Sequence, residues 1–214
     1  MKLKTGEKLV MIGDSITDCG RSRPIGEGSG ALGNGYVSLV DSLLGAVYPE
    51  LKLKIVNVGT SGNTVRDLKA RWTTDVIDLK PDWVSVMIGI NDVWRQFDSP
   101  LQKERHVELE EYKETITNLV EQTQPNVTGM ILMTPFYIEP NASDPMRAMM
   151  DRYSEVVREL ALQRNTLFVD TQAAFNYLME YSYPAAIAWD RVHPNQIGHL
   201  AIARAFVDAI GFAW

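Results

Sequence analysis

Ser15, Asp190 and His193 have the residue types and the spacing of a serine-based acyl-transfer site. A serine hydroxyl attacks a carbonyl poorly unless an imidazole takes its proton, and a carboxylate must hold that imidazole in one tautomer. Asp190 precedes His193 by three residues, so on a turn its carboxylate can reach Nδ1 of the ring and leave Nε2 free for Ser15. The spacing therefore predicts a serine–histidine–aspartate triad.

Acyl transfer also needs hydrogen-bond donors for the charged oxygen of the tetrahedral intermediate. Gly62 has no side chain that would keep a substrate away from its backbone N–H. Asn91 follows a buried apolar run and can offer its side-chain NH₂, while the N–H of Ser15 opens the turn after the first strand. The sequence predicts an oxyanion hole made by Ser15, Gly62 and Asn91.

The segment around Ser15 differs from the nucleophile elbow of α/β-hydrolases. That elbow reads G-x-S-x-G, whereas this segment reads GDSIT and has Thr17 in place of the second glycine. A lone serine after a strand is more often a turn or cap residue, and Asp14 beside it shapes the turn through hydrogen bonds to the backbone. The assignment of Ser15 as a nucleophile therefore depends on partners far along the chain.

Short apolar runs predict the strands that must position these residues. The runs at 9–12, 53–58, 83–90, 129–133 and 167–169 are mostly continuous rather than alternating, as expected for strands covered on both faces. Helical periodicity separates them, with a capping box at Thr64 and Asp67 and a cap at Asp144 followed by Pro145. A last helix is predicted over about 194–210. Repeated strand–helix units predict a five-stranded parallel sheet between layers of helices.

The candidate residues stand where strands end or in a C-terminal loop. Four segments, GDS at 13–15, NVGTSGNT at 57–64, GIND at 89–92 and DRVH at 190–193, supply the polar side chains. The carboxyl ends of parallel strands meet at one edge of a sheet, where open α/β folds bind their ligands. We therefore expect the four segments to meet at that edge.

Composition limits the partners and the location. The chain has 214 residues, a net charge of −6 and one cysteine, Cys19. The length suits one domain over 1–214, and the acidic balance argues against nucleic acid or anionic membranes as partners. One cysteine leaves no internal disulfide. The N-terminal residues lack the apolar region of a secretory signal, and no run approaches the roughly 20 residues of a membrane span, so we expect a cytoplasmic protein.

Two patterns that suggest cofactors have other interpretations. Gly28, Gly30 and Gly33 match G-x-G-x-x-G, but the match does not lie directly between a strand and a helix, as a dinucleotide site requires. The histidines form no metal-ligand spacing, and His199, inside the last helix, is expected to be structural. We expect no cofactor and no metal.

The four segments resemble the conserved blocks of the SGNH (GDSL-type) hydrolases and occur in the same order. The longer runs SGNTVRDLKARW, MIGINDVWRQ and AWDRVHP are similar to those of the acetyl xylo-oligosaccharide esterases within that family. The resemblance implies a three-layer α/β/α flavodoxin-like fold, Ser15 as nucleophile with Asp190 and His193, Gly62 and Asn91 in the oxyanion hole, and catalysis without a metal.

Aromatic residues near these segments predict the substrate class. Side chains that could stack on or bond to a sugar follow the third and fourth strands and precede Asp190: Trp94, Arg95, Phe136, Tyr137 and Trp189. We expect deacetylation of a small acetylated saccharide. The alternatives are a lysophospholipase or thioesterase of the same family and, outside enzymes, a non-catalytic sugar-binding module. Phe212 and Trp214 in the C-terminal tail need burial, on the chain itself or on a second subunit, which favours a homo-oligomer.

Overall fold

Strands and helices alternate along the chain in the computed structural model, which describes residues 1–28 and 30–213. The strands are β1 Lys8–Gly13, β2 Gly26–Glu27, β3 Lys54–Asn57, β4 Trp83–Met87, β5 Gly129–Met133 and β6 Leu167–Val169. The α-helices are α1 Ser15–Asp18, α2 Tyr36–Val47, α3 Val65–Trp72, α4 Ile90–Asp98, α5 Leu109–Thr123, α6 Pro145–Arg164, α7 Thr171–Met179, α8 Pro184–Ile187 and α9 Gln196–Ala209. A π-helical turn, Thr73–Ile77, extends α3.

The strands form one sheet in the order β2-β3-β1-β4-β5-β6. Strands β3, β1, β4, β5 and β6 are parallel, as predicted. The chain passes from β1 to β3 on one side and then crosses to β4 on the other side of β1. The strand order therefore reverses at β1, and the crevice beyond the carboxyl ends of β1 and β4 is the expected binding position in such a fold.

Helices cover both faces of the sheet. Helix α9 packs against α2 and α7, whereas α5 packs against α3 and α6. Because the crossovers on the two sides of the reversal run in opposite directions and each is right-handed, their helices lie on opposite faces. Strand β4 is buried at every position, which explains the absence of alternation in its sequence.

Two features of the sheet differ from the prediction. A sixth strand, β2, pairs antiparallel with β3 at the edge through Gly26 and Glu27, a pairing too short to leave a hydrophobic pattern. Strand β4 ends at Met87, not at residue 90 as predicted, and Ile90 begins α4. The apolar run continues because Ile88 and Ile90 are both buried, but Gly89 at φ 134° turns the chain out of the strand.

The predicted helix caps are confirmed. Thr64 and Asp67 form the capping box at the start of α3. The Asp144 side chain accepts hydrogen bonds from the N–H groups at 146 and 147, and Pro145 is the first residue of α6. The last helix is shorter than predicted and begins after Asn195, which caps it.

The C-terminal tail contacts the body of the same chain. The ring of Phe212 packs edge-on against Tyr48 with 5.4 Å between centroids, and the Tyr48 hydroxyl donates to the carbonyl of Ala213 at 2.8 Å. Trp214 lies outside the described residues. Among residues 1–28 and 30–213, no helix is both long and apolar enough to cross a membrane.

Candidate active site

Ser15 is the first residue of α1, directly after the turn that ends β1. Gly13 leaves no room for a side chain, because a Cβ there would lie 2.3 Å from Thr17 Oγ1. Asp14 caps α1 by accepting a hydrogen bond of 2.9 Å from the Ile16 N–H. The turn therefore holds Ser15 at the carboxyl edge of the sheet without a second glycine at position 17.

The predicted triad residues form a continuous hydrogen-bonded chain. Ser15 Oγ lies 2.8 Å from His193 Nε2, and His193 Nδ1 lies 2.6 Å from Asp190 Oδ2. The imidazole is 43% exposed, whereas the carboxylate is 14% exposed. In this arrangement the imidazole can take the hydroxyl proton at Nε2 while the carboxylate fixes its tautomer at Nδ1.

The loop before α9 folds so that Asp190 and His193 face each other. The second carboxylate oxygen of Asp190 accepts hydrogen bonds from the N–H groups of Val192 and His193, at 3.0 and 2.8 Å. Arg191, which follows Asp190, adopts a left-handed conformation with φ of 63°. One side chain therefore both shapes the loop and binds the ring, as the spacing of three residues predicts.

Asp190 is held in its charged form. Burial alone would raise its pKa, but the hydrogen bonds from the His193 ring, the His193 N–H and the Val192 N–H together hold the pKa below its ordinary value. A carboxylate that is charged at neutral pH stabilises the imidazolium formed when His193 takes a proton.

A tether that the sequence does not predict fixes this loop to the segment that follows β5. The Arg191 guanidinium forms an ion pair with Glu139, and the Ile138 N–H donates to the Arg191 carbonyl at 3.0 Å. Glu139 is 8% exposed. Arg191 lies within the DRVH segment, but no pattern in the sequence pairs it with Glu139, so only the fold brings the two segments together.

The three predicted oxyanion donors lie at the ends of β1, β3 and β4. Among the described residues, the N–H groups of Ser15 and Gly62 donate to no protein acceptor, so both are available to a ligand. Gly62 has φ of 81° and open space where a Cβ would stand, so its conformation, rather than crowding, favours glycine. Asn91 lies in the first turn of α4 and directs Nδ2 to the Asn63 carbonyl oxygen at 2.9 Å.

Polar side chains hold the loop that carries Gly62. Asp18 accepts hydrogen bonds of 3.0 Å from both the N–H and the hydroxyl of Ser61. Arg71 donates to the carbonyls of Gly13 and Val58 at 3.0 and 2.7 Å, and thereby joins the ends of β1 and β3. These contacts fix the loop relative to Ser15.

Asp92 links α3 to α4 from a fully buried position. One carboxylate oxygen accepts a hydrogen bond of 2.9 Å from the Val65 N–H, and the other is buried and has no hydrogen-bond partner among residues 1–28 and 30–213. Burial raises the pKa of Asp92 to about 7, against the opposing hydrogen bond from Val65. The folded protein therefore binds this proton more tightly than the unfolded chain does, and the contribution of Asp92 to the stability falls as the pH rises from about 4 to about 7.

Replacement of Asp92 by asparagine is expected to raise the melting temperature above that of wild type. The gain is expected to be a few degrees larger at pH 8 than at pH 5. The amide oxygen can still accept from Val65, and the variant has no carboxyl to ionise in the interior. Thermal unfolding followed by circular dichroism at both pH values measures the difference. Asp78→Asn, at an exposed position, serves as the control. An equal difference at the two pH values would contradict the assignment of a buried, protonated carboxyl.

Three of the five predicted substrate-contact residues lie beside the triad or at the surface near it. The Trp94 ring packs edge-on against the His193 ring with 5.9 Å between centroids. Trp189 directly precedes Asp190 and is 85% exposed. Tyr137 is half-buried and next to Ile138, which bonds to the loop of the triad.

The other two residues have different surroundings. Phe136 is fully buried and packs against Phe175 with 4.2 Å between centroids, so the predicted substrate contact at Phe136 is corrected to a core position. Arg95 donates to Asn91 Oδ1 at 3.1 Å and forms an ion pair with Asp98. Its guanidinium is thus directed at a candidate oxyanion donor.

His199 has a structural environment, as expected from its position in the last helix. Its Nδ1 accepts a hydrogen bond of 3.2 Å from the Tyr36 N–H, and its Nε2 lies 3.2 Å from Cys19 Sγ. Burial lowers the pKa of His199 to about 4 and raises the pKa of the Cys19 thiol to about 11. A neutral imidazole that accepts at Nδ1 carries its proton at Nε2 and donates it to the sulfur, so this pair links α1, α2 and α9.

A flavodoxin-like sheet with a hydrogen-bonded serine, histidine and aspartate at its topological switch defines the class of serine ester hydrolases. The chain belongs to the GDSL-like Lipase/Acylhydrolase family, whose sequence profile matches residues 11–201.

Similar proteins cover the chain from end to end. An acetylxylan esterase from Geobacillus stearothermophilus is 65% identical over 215 residues, which span 100% of this chain and 98% of that protein. A crystal structure of an acetylxylan esterase from that organism has a TM-score of 0.99, with 65% identity, over 100% of this chain and 98% of its own. An α/β hydrolase enzyme from the metagenome of Lake Arreo, Spain, is 54% identical with a TM-score of 0.97, over 99% of this chain and 98% of its own.

Three further crystal structures are of catalytic mutants of the Geobacillus esterase. Each of them has one residue replaced by alanine: a serine in the first, a histidine in the second and an aspartate in the third. The serine has the same chain number as Ser15, and the aspartate precedes the histidine by three residues, as Asp190 precedes His193.

Proposed function

We propose that this protein is a serine esterase that removes acetyl groups from acetylated sugars, in particular xylo-oligosaccharides. The observation that carries the proposal is the unbroken hydrogen-bonded chain from Ser15 through His193 to Asp190. The proposed substrate is supported by the 65% identity with an acetylxylan esterase over the whole chain.

In the first half of the reaction, Ser15 Oγ attacks the acetyl carbonyl carbon while His193 Nε2 takes its proton. The carbonyl oxygen becomes an oxyanion, which accepts hydrogen bonds from the free N–H groups of Ser15 and Gly62 and from the amide of Asn91. The carbon–oxygen bond to the sugar then breaks, His193 returns the proton to the departing sugar hydroxyl, and the acetyl group remains on Ser15.

In the second half, water takes the place of the sugar. His193 removes a proton from the water, whose oxygen attacks the acetyl carbonyl carbon, and the carbonyl oxygen again becomes an oxyanion bound by the same donors. The bond to Ser15 Oγ breaks, His193 protonates that oxygen, and acetic acid leaves. The net reaction converts an acetyl ester and water into a free sugar hydroxyl and acetic acid, which ionises to acetate and a proton at neutral pH.

The exposed position of the triad supports a saccharide substrate. The His193 imidazole is 43% exposed, so a chain much larger than the acetyl group can approach it. We assign sugar contacts to Trp94, Tyr137 and Trp189, because aromatic faces stack on sugar rings and these three flank the triad. Trp94 also packs on His193 and would link sugar binding to the position of the base.

Acyl-chain preference tests the substrate class. Hydrolysis of p-nitrophenyl acetate is expected to exceed that of the octanoate by about a hundredfold or more in kcat/KM, and acetylated xylo-oligosaccharides to be cleaved faster than glucose pentaacetate and lysophospholipid. A preference for the octanoate or for lysophospholipid would support the lysophospholipase or thioesterase alternative. Saccharide binding without hydrolysis of any ester would support a non-catalytic sugar-binding module.

We also propose a cytoplasmic location and a homo-oligomeric assembly. A single cysteine, Cys19, is compatible with a reducing compartment. Assembly is supported by the exposed aromatic side chains of Tyr181 and Tyr183, which precede the triad loop. Cell fractionation tests the location, and a molar mass of 24.0 kDa by light scattering would contradict the assembly.

A further inference from the structure

We propose that Arg95 is a positioning residue that fixes the side-chain amide of Asn91 with one N–H directed at the oxyanion. The inference rests on the proposed esterase function and adds a residue that holds a donor of its oxyanion hole.

The geometry of α4 brings the two side chains together. Asn91 and Arg95 are four residues apart on this helix, so they lie on the same face. Arg95 Nη2 donates to Asn91 Oδ1 at 3.1 Å, and Asn91 Nδ2 donates to the Asn63 carbonyl oxygen at 2.9 Å. The amide is therefore held at both of its ends.

The chemistry of the two partners determines which way the amide points. A guanidinium can only donate, so the NH₂ group of Asn91 cannot take the place beside Arg95. A backbone carbonyl can only accept, so Oδ1 cannot take the place beside Asn63. One N–H of the amide is used by Asn63, and the second remains for the oxyanion. A flipped amide would present an oxygen to the oxyanion instead of a donor.

Both partners of Asn91 are themselves held. Arg95 forms an ion pair with Asp98, lies over the Trp94 ring with 4.8 Å from its guanidinium carbon to the centroid, and is 19% exposed. The side chain of Asn63 accepts a hydrogen bond of 2.7 Å from Arg71 Nε. A network that begins at Arg71 and ends at Asp98 thus fixes the amide before substrate binds, as preorganised oxyanion donors require.

The alternative role for Arg95, a direct bond to sugar hydroxyls, predicts different kinetics. If Arg95 bonds to the sugar, its replacement raises KM for a sugar ester and leaves the hydrolysis of an ester without a sugar unaffected. If Arg95 positions Asn91, its replacement lowers kcat on both esters by the same factor, because the same oxyanion forms in both.

The test compares Arg95→Met, which removes every donor, with Arg95→Lys, which retains a charged donor group. We expect Arg95→Met to lower kcat by about ten- to a hundredfold on both p-nitrophenyl acetate and an acetylated xylo-oligosaccharide, with KM within about twofold of wild type. Arg95→Lys is expected to lose less, again equally on both esters. Arg164→Met is the matched control, since Arg164 also pairs with a carboxylate but lies at the end of α6, where the chain enters the opposite edge of the sheet.

A double-mutant cycle with Asn91→Ala completes the test. Removal of an oxyanion donor costs about a hundred- to a thousandfold in kcat, and in that background we expect Arg95→Met to cost less than about twofold, because Arg95 acts through Asn91. The inference is overturned by unchanged kcat in both Arg95 variants, by a loss confined to the sugar ester, or by an undiminished loss in the Asn91→Ala background. If Arg95→Met does not fold, as judged by circular dichroism, Arg95→Lys decides on the same two esters. Ser15→Ala, assayed in parallel, distinguishes a failure of this inference from a failure of the proposed function, since full activity of that variant refutes the esterase mechanism itself.

Discussion

Replacement of Ser15 by alanine is expected to lower kcat on acetate esters by a factor of about 10⁴ or more while the protein stays folded. The loss is this large because Ser15 is the hydroxyl that His193 Nε2 contacts among the described residues, and removal of a triad nucleophile leaves only the rate that the oxyanion donors and substrate binding supply. The hydroxyl of Ser15 bonds only to His193 among the described residues, and α1 retains its cap at Asp14. Stopped assays at high enzyme concentration, with circular dichroism on the same samples, measure both effects.

Labelling with a serine-directed fluorophosphonate adds a direct readout. Wild type is expected to take up one label per chain, at Ser15, because His193 activates that hydroxyl. Ser42→Ala is the matched control, since the Ser42 hydroxyl donates to the Ser38 carbonyl within α2, away from the triad. Stoichiometric labelling of Ser15→Ala, or turnover close to wild type, would refute the nucleophile assignment.

Replacement of Asp190 by asparagine is expected to lower kcat by about 10³ to 10⁴ with little change in structure. The oxygen of the asparagine must stay where Oδ1 now accepts from the N–H groups of Val192 and His193. The NH₂ group then faces His193 Nδ1, which has to accept, so the ring carries its proton on Nε2. That proton blocks the nitrogen that should receive the proton of Ser15.

Asp190→Ala separates the effect on the tautomer from the effect on the loop. It removes the hydrogen bonds to the loop N–H groups as well as the bond to the ring, so it is expected to lower both kcat and the melting temperature. Asp190→Asn should lower kcat alone. Retention by Asp190→Asn of more than about a tenth of wild-type kcat would contradict the role of the carboxylate, since a wrong tautomer costs far more.

Much of the fold could be predicted because its signals are local. The runs at 129–133 and 167–169 coincide with β5 and β6, and the caps at Thr64 and Asp144 begin α3 and α6. Cap chemistry and periodicity act within one or two turns, so they can be recognised from the order of residues alone. The edge strand β2 could not, because two residues paired through their backbones have no characteristic side-chain pattern.

The misplaced end of β4 explains why the role of Arg95 was not predicted. A strand that extends to residue 90 gives no helical spacing between Arg95 and Asn91, and the sequence therefore predicts only a substrate contact for Arg95. The chain enters α4 at Ile90, and on that helix the spacing of four residues places Arg95 beside Asn91. Gly89 is the signal in the sequence for an earlier end of the strand. In the structure its φ of 134° turns the chain at this position.

By itself, the sequence determined the chemistry of the site and the pairing of Asp190 with His193, because a carboxylate and an imidazole three residues apart can meet within a single turn. Only the tertiary structure decided that this pair meets Ser15, which is 178 residues from His193 along the chain. The sheet order brings the ends of β1, β3 and β4 together, and the Arg191–Glu139 ion pair anchors the last loop there. The burial of Phe136 and of Asp92 was likewise decided by packing, since an aromatic or acidic residue after a strand can face either the core or solvent.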